Sequence, residues 1–244
     1  MTEHDLAGRV VVVSPHLDDG VMSLGSALAR AARRGAEVEV LTVFAGDPES
    51  VEPPSLWDRA CGFRSRAEAA RARRFEERRA CSVIGAVPVP LAFPDEVARG
   101  PADEEAVLAA VGARLEAADV VLVPGCPLKH PDHAWLARLL AAHRPAGPRT
   151  ALYLEQPYAA WAGLRRLPAE PVAALHGHLE ARPLEWHLLR RSPTDWARKA
   201  RALLSFRSQL RGLGRLTPAR VLLDEARRGG ECVAWLPPLL GRLP

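Results

Sequence analysis

The sequence predicts an α/β fold: a Rossmann-like parallel sheet flanked by helices, with a small C-terminal strand–helix elaboration. Three observations carry this. Short β-branched runs (Val10–Ser14, Val38–Phe44, Asp119–Pro124) alternate with longer amphipathic stretches, the rhythm of a parallel sheet with right-handed crossovers. The runs are nearly continuous in apolar residues, as strands buried on both faces are. One of them stops abruptly in Ser14-Pro15-His16-Leu17-Asp18-Asp19, and another leads through a short loop to His130-Pro131-Asp132-His133.

In chain order, Val10–Ser14 reads as the first strand and a helix follows from about Val21 to Arg34, stopped by Gly35. Val38–Phe44 is a second strand, followed by a Pro-rich loop from Asp47 to about Phe63 that carries Trp57 and Asp58. A helix from about Ser65 to Ile84 stops at Gly85. Val87–Phe93 is a third strand, Asp103–Ala118 a helix, and Asp119–Pro124 a buried strand. The loop Gly125–Lys129 leads to the second cluster and a helix reaching about His143. Thr150–Leu154 is the fifth strand. Beyond Pro157 the pattern changes to a strand-like His178–Trp186, a helix around Asp195–Arg211 and a short strand near Cys232–Leu236. The chain reads as one domain over residues 1–244, without internal repeats or low-complexity segments.

At 244 residues, 48% hydrophobic and 25% charged, the composition is that of a globular protein with a substantial core. The net charge of +4 is modest. The arginine-rich stretch Arg64–Arg79 is interleaved with Glu68, Glu76 and Glu77, so it reads as a solvated helix face rather than a nucleic-acid stripe. No apolar run approaches the ~18 residues of a membrane span, and MTEHDLAGRV is not a signal peptide. Cys61, Cys81, Cys126 and Cys232 are dispersed without a C-x-x-C pair, which argues against a disulfide framework or a cysteine–zinc site and fits a reduced, cytoplasmic setting. Cys126 reads as a small buried hydrophobe; His176, His178 and His187 have no partners at ligand spacing and read as surface residues.

In open α/β sheets ligands bind outside the carboxyl ends of strands, where both His/Asp clusters fall. His16 and Asp19 are spaced to aim at one ion, and Pro131 at a first helical position places His130 at the helix entrance with Asp132 and His133 in its first turn. Two histidines and a carboxylate are a common catalytic zinc set. The remaining Asp18 suits a general base, and His130 suits oxyanion stabilisation or leaving-group protonation. The inventory fits metal-assisted hydrolysis of an amide. The competing structural reading is that the Asp pair and the H-P-D-H segment merely cap helices. A nucleotide-binding oxidoreductase is excluded, because a carboxylate pair stands where a G-x-G-x-x-G phosphate loop is required.

Ser14–Asp19 resembles the A-H-P-D-D signature of the PIG-L/LmbE-like N-acetylglucosaminyl deacetylases, and His130–His133 resembles their second motif. Weaker echoes are Arg73 and Glu76 (R-x-x-E), Leu154-Glu155-Gln156-Pro157-Tyr158 (E-D-x-P-Y), and Lys199 to Gln209 (K-x-x-A…S-Q). The resemblance implies His16, Asp19 and His133 as metal ligands, Asp18 as general base, and His130 as oxyanion stabiliser that assists amine departure, oriented by Asp132. It implies Zn2+, with Fe2+ or another divalent ion the alternative, and removal of acetate from an N-acetylglucosamine unit. The family proline is Leu17 here and its following acidic residue is Gly20, which reads as opening space for a bulky acceptor. The S-P-H-L-D-D form, with Trp57-Asp58 and Cys61-Gly62-Phe63, resembles an actinobacterial subgroup that includes glycopeptide-antibiotic pseudoaglycone deacetylases. The implied partner is a small-molecule or natural-product glycoside, with neither nucleic acid nor membrane expected and the oligomeric state open. Arg73, Trp57 and Tyr158 are the candidate substrate contacts, with Trp161 a further wall aromatic. The alternative to an enzyme is a catalytically silent carbohydrate-binding relative.

Overall fold

The computed structural model describes residues 6–95, 99–164, 167–169, 173–175, 177, 179 and 183–238. Its elements in order are β1 (Arg9–Ser14), α1 (Asp19–Arg33), β2 (Glu37–Thr42), α2 (Leu56–Ala60), α3 (Arg66–Ile84), β3 (Val87–Pro90), α4 (Pro101–Glu116), β4 (Val120–Cys126), α5 (Pro131–Ala142), β5 (Arg149–Leu154), α6 (Tyr158–Ala162), a 3-10 turn Ala173–Leu175, β6 (Trp186–Leu188), α7 (Pro193–Leu203), α8 (Arg207–Leu213), α9 (Thr217–Arg228) and β7 (Cys232–Trp235).

The strands form one sheet in the order β3-β2-β1-β4-β5-β7-β6. The first five are parallel, and β7 and β6 extend the sheet antiparallel. Strand side chains alternate between faces, so the valine run of β1 splits. Val10 and Val12 pack with Leu24, Leu28 and Ile84 of α1 and α3, while Val11 and Val13 pack with Val107, Val111 and Leu136 of α4 and α5. All four valines are fully buried, each contributing roughly 1.5–3 kcal/mol of transfer free energy. From β1 the chain runs outward to β2 and β3, then returns across to β4. The carboxyl ends of β1 and β4 therefore flank the point where strand order reverses, the crevice that α/β sheets use for ligands.

The loop expected over Asp47–Phe63 contains α2, started by a capping box in which Ser55 Oγ accepts the Asp58 N–H and Asp58 accepts the Ser55 N–H. The single helix expected over Asp195–Arg211 is two, α7 and α8; the break lets Phe206 turn inward and become fully buried in the core beneath α1 and α3. Helix α9 lacked a clear sequence signal. Most of the expected strand His178–Trp186 lies outside the described residues, as do His176 and His178. Cys126 is buried, as expected of a small hydrophobe, and packs with Leu154, Ala159 and Cys232. No helix among the described residues is long and apolar enough to cross a membrane.

The helix that carries Asp19 is anchored from behind by a buried ion triad. Lys199 of α7, fully buried, bonds Glu225 of α9 and, at 2.7 Å, Glu231. Glu231 in turn accepts the backbone N–H groups of Ser26 and Ala27 of α1 at 2.8 and 2.7 Å. Removing the cation strands two buried carboxylates, so Lys199→Met is expected to lower stability by about 3–5 kcal/mol, read from the urea unfolding midpoint.

Candidate active site

The loop after β1 is shaped by Ser14, whose Oγ donates to His16 O at 2.7 Å and accepts the Gly20 N–H at 2.9 Å. Asp18 occupies the N-cap position of α1 with φ 142°, and its side chain makes no capping bond. A non-glycine residue held there costs about 1–3 kcal/mol. The helix-cap reading of the Asp pair is thus overturned: Ser14 does the capping, and the Asp18 carboxylate instead accepts from Gln209 Nε2 at 3.3 Å. Asp19 Oδ2 accepts the His16 N–H at 2.9 Å. The expectation for Gly20 is also corrected. A Cβ there would meet Val12 and Ser14 at 3.3 Å, so its small size serves packing against β1 and opens no acceptor space.

The second cluster enters from the neighbouring strand. His130 is the N-cap of α5, its Nδ1 accepting the Asp132 N–H at 3.2 Å, and Pro131 fills the first helical position. His133 is fully buried. Its Nε2 lies 3.1 Å from His16 Nδ1 and 3.1 Å from Asp19 Oδ2, and His16 Nδ1 lies 3.3 Å from that same oxygen. Ligands at 2.0–2.1 Å around a tetrahedral zinc are about 3.3 Å apart, so this triangle has the edges of a metal's coordination shell. Each imidazole is held from behind: His133 Nδ1 by Glu155 at 2.6 Å and His16 Nε2 by Asp132 at 3.0 Å, the carboxylate–histidine pairing typical of metal ligands. His16, His130 and His133 also form a wider triple, with ligand atoms within 4.8 Å of one another. The donor set fits a divalent cation, and the tightest triangle is the one containing Asp19.

The charge balance points the same way. Asp18, Asp19, Asp132 and Glu155 are all at least 94% buried. Burial pushes Asp18 well above the usual carboxylate range, and neighbouring Asp19 pushes it further. Burial also raises Glu155. Burial opposes ionisation of Asp19 too, but His133 and His16 outweigh it and hold that carboxyl far below its ordinary value. Burial works against a charged His16, yet Asp132 and Asp19 lift it to about 9; Asp19 and Glu155 likewise lift His133. The histidines hold protons against surplus negative charge, the role a bound cation would take over. His130 differs: burial and then His16 and His133 lower it to about 4. It is a neutral imidazole whose Nδ1 is an acceptor, so its Nε2 carries the proton.

His16, Asp18, Asp19 and His130 line a cavity of about 600 Å³. Trp57, Arg73, Tyr158 and Trp161 all line it as well. Trp57 packs so closely that a Cβ on Gly212 would come within 2.4 Å of its ring, and its Nε1 donates to Gln209 Oε1 at 3.2 Å. Tyr158 stands edge-on to both His133 and Trp161, with ring centroids 5.4 and 5.6 Å away. Arg73 pairs with Asp58 at 2.8 Å. Glu76, one helical turn on, accepts the N–H and Oγ–H of Ser208 instead. His187 is on β6, half-buried and outside the cavity. Sequence reasoning assigned no site role to Glu155, Gln209 or Arg99. Glu155 directly follows a strand, a signal that was available; Arg99 sits in an irregular connection with no motif around it.

Fold and site together define a Rossmann-like α/β protein with a histidine–carboxylate centre at the switch point of its sheet. The chain belongs to the PIG-L family: the family model described as GlcNAc-PI de-N-acetylase matches residues 11–143. It is 36% identical over 169 residues to 2'-N-acetylparomamine deacetylase of Streptomyces fradiae, an alignment spanning 62% of this chain and 58% of that protein. Among solved structures, it resembles the A40926 pseudoaglycone deacetylase Dbv21 with TM-score 0.75 and 28% identity, covering 93% of this chain and 96% of that one. It also shares the fold of the zinc-inhibited form of teicoplanin deacetylase Orf2, with TM-score 0.71 and 22% identity over 96% and 99% of the two chains.

Beneath the site, Glu77 of α3 is buried and accepts Thr42 Oγ1–H at 2.9 Å. Burial lifts its carboxyl from 4.5 to about 8, with Asp18 and Asp19 adding to the rise. The folded state therefore holds this proton more tightly than the unfolded chain. The stability this supplies is full below about pH 4.5 and is lost as pH rises through about 8. Glu77→Gln is expected to flatten that decline, by an amount on the order of a few kcal/mol, in unfolding curves recorded across this window.

Proposed function

We propose that the protein hydrolyses the acetamide of an N-acetylglucosaminyl unit carried on a natural-product glycoside, releasing acetate and a free amino sugar. One observation carries the reading: the triangle of His16 Nδ1, Asp19 Oδ2 and His133 Nε2 backs onto a cavity large enough for a glycoside, which His16, Asp18 and Asp19 line. The names of its relatives support the substrate class, since they act on N-acetylated aminoglycoside or glycopeptide precursors.

His16, Asp19 and His133 hold the cation, Zn2+ or another divalent ion such as Fe2+. A cation held there supplies Lewis acidity, polarising the amide carbonyl and acidifying water near neutral pH. Asp18 accepts the proton of the attacking water. Its strained backbone and the Gln209 amide aim it, and burial gives it the proton affinity of a base rather than of a surface carboxylate. His130, a neutral imidazole whose Nδ1 accepts the capping bond and whose Nε2 carries the proton, donates to the oxyanion that forms at the acetyl carbonyl oxygen. The proton gained by Asp18 then goes to the departing nitrogen. Trp57, Tyr158 and Trp161 present aromatic faces to the sugar and its carrier, and Arg73, fixed by Asp58, offers N–H donors to hydroxyls.

A silent carbohydrate-binding relative would be expected to have lost a ligand or the base, whereas every group of the set is present here. The deciding measurement is acetate release from N-acetylglucosamine, its inositol conjugate, an N-acetylated aminoglycoside and a glycopeptide pseudoaglycone. Release should require added Zn2+ or Fe2+, cease with a chelator and resume on metal return. Asp18→Asn should retain the metal and lower kcat about 10²–10⁴-fold, while His133→Ala should lose metal and activity together. A metal-loaded protein that releases acetate from none of the four compounds would leave a binding role in place of the enzyme.

A further inference from the structure

We propose that Arg99 is a positioning residue that sets the tautomer and orientation of His16 through Asp132. It belongs to neither His/Asp motif, lying in the connection between β3 and α4, yet its side chain is only 7% exposed. The guanidinium is seated against two rings, its central carbon 4.0 Å from the Phe44 centroid and 5.2 Å from that of Trp135. One nitrogen donates to Pro94 O at 3.0 Å and another bonds Asp132 Oδ1. A planar, permanently charged fork in such a seat has little freedom to turn.

The consequence follows from counting donors. A guanidinium has no acceptor, so Arg99 is the donor in its bond to Asp132 Oδ1, and its fixed positive charge beside that oxygen favours the carboxylate form. An ionised carboxylate only accepts, so the proton between Asp132 Oδ2 and His16 Nε2, 3.0 Å apart, must lie on His16. In the neutral ring that leaves the lone pair on Nδ1, the atom facing Asp19 and His133. With Oδ1 fixed by Arg99, Oδ2 stays on His16 and cannot swing toward His130 Nδ1, now 3.9 Å away. Phe44 adds a second hold, since its ring also lies 5.9 Å from that of His16. The inference rests on reading His16 as a metal ligand, and its test separates the two.

The variants are Arg99→Met, which keeps the length and apolar contact of the stem, and Arg99→Lys, which keeps the charge without the fork. In 15N-histidine-labelled protein, metal-free and Zn2+-loaded, the wild type should show a downfield, slowly exchanging His16 Nε2–H, assigned by its absence in His16→Gln. Arg99→Met should lose slow exchange at that proton and weaken Zn2+ about ten- to a hundred-fold in chelator competition, with Arg99→Lys intermediate in both. If Arg99→Met is poorly folded, the comparison of Arg99→Lys with wild type decides alone. An unchanged Nε2–H and unchanged Zn2+ affinity in a folded variant would overturn the positioning role while leaving the metal site intact. A wild type that binds no Zn2+ but whose Nε2–H still depends on Arg99 would do the reverse.

Discussion

The site depends on one adjacency: β1 and β4 are parallel neighbours in register, Val12 beside Leu122. Both strands are buried, so neither can slip by one residue without turning its valines to the wrong face. The register therefore fixes how far each chain segment travels before it leaves the sheet, and with it where His16, Asp18 and Asp19 meet His130, Asp132 and His133. The two motifs are far apart in sequence and have no local means of finding one another. Hydrophobic packing of the sheet, which is indifferent to the chemistry, brings them within 3.1 Å.

That adjacency imposes a cost which the surrounding structure offsets. Four carboxylates and His133 are removed from water at one point, and Asp18 holds a backbone conformation that L-residues avoid. Each buried group is answered by a specific partner: Glu155 behind His133, Asp132 behind His16, Arg99 behind Asp132, Gln209 against Asp18, and Trp57 against Gln209. The triad of Lys199, Glu225 and Glu231 then secures the far side of α1. Half-satisfied polar networks are more costly than apolar cores, and these chains are nearly closed, with Glu155 Oε1 and Glu225 Oε2 the carboxylate oxygens buried without a hydrogen-bond partner among the described residues.

What the sequence revealed divides along the same line. The parallel strands, their helices and both His/Asp clusters were legible because burial on both faces writes valine runs, and because a strand end followed by His and Asp stands out against them. The break between α7 and α8 was not, since continuous helical periodicity spans Leu204–Phe206 and only tertiary packing draws Phe206 inward. Gly20 was misread for a related reason: a small residue in a motif looks like an opening until the Val12 and Ser14 atoms beside it are seen. Asp132 was expected to orient His130; its N–H does bond that ring, and its carboxylate also reaches His16 and Arg99, partners the spacing did not announce. Such partnerships depend on a few ångströms of geometry that spacing along a chain does not encode.

The boundary of the family match gives this division functional content. Residues 11–143 include every side chain of the two clusters, together with Trp57, Arg73 and Arg99, but stop short of Glu155, Tyr158, Trp161 and Gln209. The shared region thus holds the proposed reacting centre and part of the cavity wall, while α6 and α8 complete the lining from outside it. A fold does not choose a substrate; a site grafted on it does. Here even the site is composite, because Gln209 reaches Asp18 from α8 while its own amide is oriented by Trp57 of α2. Residues that shape the acceptor space therefore touch the group that would move the proton. A change at Trp57 or α8 reaches Asp18 through the Gln209 amide, so on the proposed reading substrate choice and rate would be coupled through that one side chain.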